Sequence, residues 1–112
     1  MVRRVESYEE TNQLDPALRE YQEAVRLAPN QAELHVKVGQ VALRMNQLPI
    51  AERAFVAALT RNPADHQTRF LLSQVYENEG KLLDAEHECA YVVPMIPAAQ
   101  QMLLRIRSRL GR

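Results

Sequence analysis

Apolar side chains recur at three- and four-residue steps from Asn30 to Met45. Leu34, Val38, Val41, Ala42 and Met45 share one face, and polar residues fill the positions between them. That period is helical. A second run from about Pro49 to Arg61 puts Ile50, Ala51, Ala54, Phe55, Ala58 and Leu59 on one face. The short Asn46–Leu48 link makes the two helices antiparallel neighbours. Further helices are predicted from Asp15 to about Ala28, from Asp65 to about Glu79, from Leu82 to about Val93, and over residues 98–110. The last carries a stripe of Met102, Leu103, Ile106 and Leu110. Asp15, Asp65 and the pair Asn30 and Glu33 are expected to cap helix starts. Asn46 and Gly80 suit left-handed ends. Pro16 and Pro49 fit first turns, and Pro94 stops its helix by clashing with the carbonyl four residues back.

The pattern repeats. Pro29, Pro63 and Pro97 stand 34 residues apart, as do Ala17, Ala51 and Ala85. Tyr21, Phe55 and Cys89 share that interval, with Ala24, Ala58 and Val92. Val5, Gly39 and Ser73 fall into register, as do Tyr8, Ala42 and Tyr76, and Asn12, Asn46 and Gly80. These residues resemble the tetratricopeptide repeat family, whose unit has this length and this small, aromatic, Ala, Phe and Pro order. The resemblance implies an all-α, right-handed α-solenoid of antiparallel helix pairs, about seven helices in all. It divides one domain, 1–112, into repeats of about 1–29, 30–63 and 64–97 and a capping helix of about 98–110. Two readings of that last helix stand: a solvating cap, or an interrupted fourth repeat. Gly39, Ala51 and Ala58 are expected to let helix backbones approach, and Phe55 to fill the space between pairs. Cys89 stands where the other repeats have an aromatic ring.

Composition narrows the function. Formal net charge is zero, so no global field draws the chain to nucleic acid or to an acidic membrane. A local basic patch is confined to Arg105, Arg107, Arg109 and Arg112. Cys89 is the single cysteine, which excludes an intrachain disulfide and fits a reducing compartment, with the cytoplasm as default. No apolar run reaches transmembrane length, and Met1–Glu6 lacks the apolar stretch of a signal peptide. With three glycines and no phosphate-loop, dinucleotide or His-Glu-x-x-His pattern, no enzyme activity, cofactor or metal is expected. His87 and Cys89 are two residues apart on a helix and point in different directions, so they do not form a metal pair.

In the family fold the first helix of each pair lines a concave groove. The resemblance places Val36, Lys37, Gln40 and Arg44 there in the middle repeat, beside Glu33 and Leu43. It adds Phe70, Gln74 and Glu77 in the third repeat, with Gln67, Leu71 and Asn78, and Val2, Glu6, Glu9 and Glu10 in the first. The implied function is a scaffold or adaptor that binds a peptide or helix of a partner protein. Val36 and Phe70 would serve as apolar anchors, Gln40 and Gln74 would bond an extended backbone, and Arg44 would meet a carboxylate. The clamp by which one branch of the family holds acidic chaperone tails needs Lys and Asn at positions that here carry Val2 and Glu6, so such a tail is disfavoured. Two alternatives remain: self-association through Met102, Ile106 and Leu110, and service as one segment of a longer repeat protein.

Overall fold

The computed structural model describes residues 13–112, which form six helices and no strand. They are α1 (Leu14–Leu27), α2 (Ala32–Arg44), α3 (Leu48–Arg61), α4 (His66–Asn78), α5 (Leu82–Val92) and α6 (Ala99–Arg109). The expected first helix, with Val2, Val5, Tyr8, Asn12 and its acidic residues, lies outside the described residues. Each helix packs on the next in chain order, as in an α-solenoid of antiparallel pairs.

The turns show how local chemistry sets the helix ends. Asn46 is the only described non-glycine residue at positive φ, +59°, and Gly80 sits at +80°. Both reverse the chain after a first helix, as their spacing requires. Pro49 occupies the first turn of α3. Asp65 caps α4, its carboxylate accepting from the Thr68 amide at 3.1 Å. Two expected caps do not form. The helix α1 already begins at Leu14, which puts Asp15 inside the first turn, where its charge still faces the positive helix end. Asn30 lies outside α2, because the Gln31 amide donates to the Ala28 carbonyl and closes a turn around it. After Val92 the chain turns through Met95, as Pro94 demands.

The residues in register are the core. Ala17, Ala51 and Ala85 are fully buried, and so in effect are Tyr21, Phe55 and Cys89. Another buried set, Val38, Leu72 and Ile106, runs through α2, α4 and α6. The helix α6 therefore takes the place that an inner helix would hold in a following repeat. The core falls into two clusters, one around Phe55 across α1 to α4, the other around Cys89 across α5 and α6, with Tyr76 touching both.

Gly39 shows why its position must be small. A Cβ there would stand 2.6 Å from Cδ1 of Phe55 and 2.8 Å from its Cζ, well inside contact distance. In the next repeat Ser73 replaces Gly39 and Cys89 replaces Phe55. The small ring-free Cys89 leaves room for the Ser73 hydroxyl, which donates to the Phe70 carbonyl at 2.6 Å and stands 3.4 Å from Sδ of Met102.

Candidate functional site

In the solenoid α2, α4 and α6 follow one another as first helices of successive units, with α3 and α5 as the second helices, and α4 meets α6 directly through Ser73–Met102 and Glu77–Arg105. On α2 the buried residues Val38, Val41 and Ala42 face the neighbouring helices. One turn around, Val36, Lys37 and Gln40 are half-buried and Arg44 is exposed. On α4 Phe70 and Gln74 occupy the same half-buried stations, with Phe70 resting on the second core cluster. Six of the seven expected groove residues are thus partly open or exposed on α2 and α4.

Glu77 is the exception. Its side chain is only 8% exposed, and Arg105 covers it with two bonds, Nε and Nη2 to the two carboxylate oxygens at 2.8 and 2.7 Å. Arg109 approaches the same carboxylate at 3.6 Å. These guanidinium groups, Arg105 first, hold the Glu77 carboxyl below its ordinary value of 4.5. As an open groove contact, then, Glu77 is corrected: it is the buried half of an ion pair that docks α6.

The expected self-association stripe needs a second correction. Met102 is 4% exposed and Ile106 is fully buried, both inside the second core cluster. They are consumed by packing within this chain and have no surface left for another copy. Leu110 is half-buried against the same cluster. The apolar side chain that α6 does present is Leu104, 52% exposed. It stands 34 residues after Phe70 and 68 after Val36, a register that would have singled it out from the sequence.

The arginine patch is also engaged. Arg107 and Arg112 both pair with Glu86 of α5, at 3.1 and 2.9 Å. All four C-terminal arginines therefore meet a glutamate of the preceding repeat.

A second repeating device escaped the sequence reading. His35 Nε2 lies 2.8 Å from the Pro29 carbonyl, and Arg69, at the same repeat position, donates to the Pro63 carbonyl at 3.1 Å. Arg61 also donates to the Pro29 carbonyl, at 2.7 Å. Pro29 and Pro63 each leave a carbonyl in their turn that a basic side chain six residues later satisfies, whereas the Pro97 carbonyl accepts from the Gln100 amide. Arg69 additionally pairs with Glu88 at 2.8 Å and lies 4.9 Å over the Tyr91 ring. The shared interval from Pro29 and Pro63 was the available signal.

Burial pushes the Cys89 thiol above its ordinary value of 9.0, and its Sγ donates to the Ala99 carbonyl at 3.2 Å, so it is a packed thiol and not a nucleophile. Among the described residues no three His, Cys, Asp or Glu side chains converge as a metal site would need, and no helix is long and apolar enough to cross a membrane. Two shallow clefts exist. One of about 300 Å³ lies between α3 and α5 over Leu72 and Tyr76. Another of about 380 Å³ is lined by Leu82, Leu83 and Leu110 at the α4–α5 turn.

Comparison with known proteins agrees with this geometry. The family model of the tetratricopeptide repeat matches residues 36–100. The human protein O-mannosyl-transferase TMTC1 is 33% identical over 93 residues, which make up 80% of this chain and 10% of that protein. The chain thus spans about a tenth of the length of this relative. Among solved structures, the first such domain of Spaghetti (RPAP3), bound to the HSP90 peptide SRMEEVD, superposes with a TM-score of 0.91 at 18% identity, covering 98% of this chain and 90% of that one. The Yersinia enterocolitica type III secretion chaperone SycD, in complex with a peptide of the translocator YopD, gives 0.86 at 14% identity, covering 94% and 88%. At these identities the superpositions show a shared fold.

Proposed function

The chain belongs to the tetratricopeptide repeat family, and from that premise we propose that it is a protein-interaction module, holding a peptide or helix of a partner protein against the face formed by α2, α4 and α6. The observation that carries this reading is the set of apolar and amide side chains left partly open there: Val36 and Gln40 on α2, Phe70 and Gln74 on α4. Val38 and Leu72 on the same helices are buried, whereas these four side chains keep partial access for a partner. The two superposed structures each hold a peptide of another protein, which supports the same use of the fold here.

Residues 1–112 form one domain in this reading, with repeats of about 1–29, 30–63 and 64–97 and α6 closing the stack. The module binds and orients and carries out no reaction. An acidic chaperone tail is a poor fit. The clamp positions Val2 and Glu6 have Val36 and Phe70, and Gln40 and Gln74, as their register equivalents, with neither Lys nor Asn among them.

The test is affinity capture with the wild-type chain and with a Phe70→Ala, Lys37→Ala double variant whose helicity is checked by circular dichroism. Partners retained by the wild type and lost by the folded variant are the expected result. Equal capture by both would remove the inner face from the function.

A further inference from the structure

We propose that a second copy of this chain docks on the second helices, α5 of each copy lying against α3 of the other about a two-fold axis. This contact is separate from the binding reading above, which concerns the first helices and stands or falls without it.

The repeats supply their own control. Three stations on the second helix of each unit recur every 34 residues and lie outside the core. On α1 they hold Asp15, Arg19 and Glu23, all exposed. On α3 they hold Pro49, Arg53 and Ala57, and on α5 Leu83, His87 and Tyr91. Leu83 is 64% exposed and Tyr91 55%. Steps of four residues put Leu83, His87 and Tyr91 on one ridge of α5, and the exposed Met95 follows at the same step past the helix end. Arg69 lies 4.9 Å over the Tyr91 ring and steadies it. Packing within the chain does not ask for these side chains, because α1 fills the same stations with charges. Single exposed apolar residues are ordinary, but a ridge of them marks a surface that is covered.

Size and charge say what covers it. The helices α3 and α5 both line the cleft over Leu72 and Tyr76, and Glu52 of α3 bonds Lys81, just before α5, at 2.7 Å. As second helices of successive antiparallel pairs they run in the same direction. A two-fold axis between and along them lays α5 of one copy on α3 of the other, and symmetry supplies the reverse contact. The large Leu83 and Tyr91 then face the small Pro49 and Ala57, with Val56, 42% exposed, beside them. Pairing α5 with α5 would instead set large against large. It would also oppose two helices that each carry Asp84, Glu86 and Glu88 and no Lys or Arg.

The crossed arrangement also uses two free charges. Arg53 on α3 and Asp84 on α5 are exposed, and neither makes an ion pair among the described residues. Asp84 falls three residues below the level of Arg53, about 4.5 Å of helix rise, which an arginine side chain spans. Each dimer forms this pair twice. Zero net charge leaves no long-range repulsion between copies.

The experiment is sedimentation velocity of the full chain from about 1 μM to about 1 mM, the range suited to a contact of two short helices. A monomer–dimer equilibrium is expected. Leu83→Asp and Tyr91→Asp should each raise the dissociation constant about tenfold or more. Arg53→Glu and Asp84→Arg should each weaken the dimer when alone, whereas an equimolar mixture of the two should recover wild-type association. Between those unlike chains both charge pairs are attractive, and a folding fault in either variant cannot produce the recovery. A monomer at every concentration would overturn the inference. So would a dimer indifferent to Leu83→Asp and Tyr91→Asp. A dimer lost in those variants but not recovered in the mixture would overturn it as well, by removing α3 from the contact.

Discussion

The two halves of the core solve one packing problem with different pairs of residues. In the middle repeat a glycine, Gly39, lies against the ring of Phe55; in the next, Ser73 and Cys89 stand at the same two positions. The first pair puts its volume on one side of the contact, and the second divides it. Both partners are buried in each case. The helix register is thus maintained by the sum of the pair, and neither member can change alone.

That contrast can be broken directly. The largest effect is expected for Phe55→Ala, which empties the centre of the first cluster and should cost about 3–5 kcal/mol by urea denaturation, against about 1 kcal/mol for Cys89→Ala, which removes a single sulfur. Next in size, Gly39→Ala drives a methyl into the Phe55 ring and should destabilise by about 1–2 kcal/mol, because the clash outweighs the helix preference of alanine. Combining it with Phe55→Cys should recover part of the loss, a coupling measurable as a double-mutant cycle. The reciprocal change, Cys89→Phe, should overpack the second cluster by about 1–3 kcal/mol and be relieved by Ser73→Gly. If the paired changes prove simply additive, the two positions are not in steric conversation and the comparison fails.

Smaller effects sharpen the difference at the helix ends and at α6. Asp65→Ala should cost about 1 kcal/mol, while Asn30→Ala, at a cap that does not form, should be close to neutral. Glu77→Gln should cost about 1 kcal/mol, since Arg105 remains half in water and its pairing is partly screened. Its pH signature is distinctive. The Glu77 carboxyl is held below its ordinary value by Arg105, so its contribution is complete above about pH 4.5 and is lost as pH falls through the depressed value. Glu79 works in the opposite sense. Burial first, and then the neighbouring Glu52, raise it, so ionising it as pH rises weakens the fold. Melting temperatures followed from pH 3 to 7 should show a shallower acid limb in Glu77→Gln and an unchanged one in Asn30→Ala.

Much of the fold was legible because a repeat repeats its constraints. The 34-residue interval places Ala17, Ala51 and Ala85 at one steric position, and all three are fully buried. The groove positions came from the resemblance to the family and not from the apolar period, and six of the seven are partly open or exposed on α2 and α4. Glu77 was misjudged because burial of a carboxylate depends on an arginine 28 residues further on, which periodicity does not foretell. Met102 and Ile106 were misjudged for a related reason. An amphipathic stripe declares that it will be covered, without declaring by what.

Helix positions, the antiparallel pairing and the core register are properties of the sequence itself, because turn residues, proline spacing and apolar period act locally and recur in each copy. The docking of α6 through Arg105, Arg107, Arg109 and Arg112 was decided by tertiary structure, as were the pairing of His35 and Arg69 with proline carbonyls and the exposure of Leu104. Long polar side chains reach partners chosen by where whole helices come to rest, and that is settled only once the apolar faces have packed.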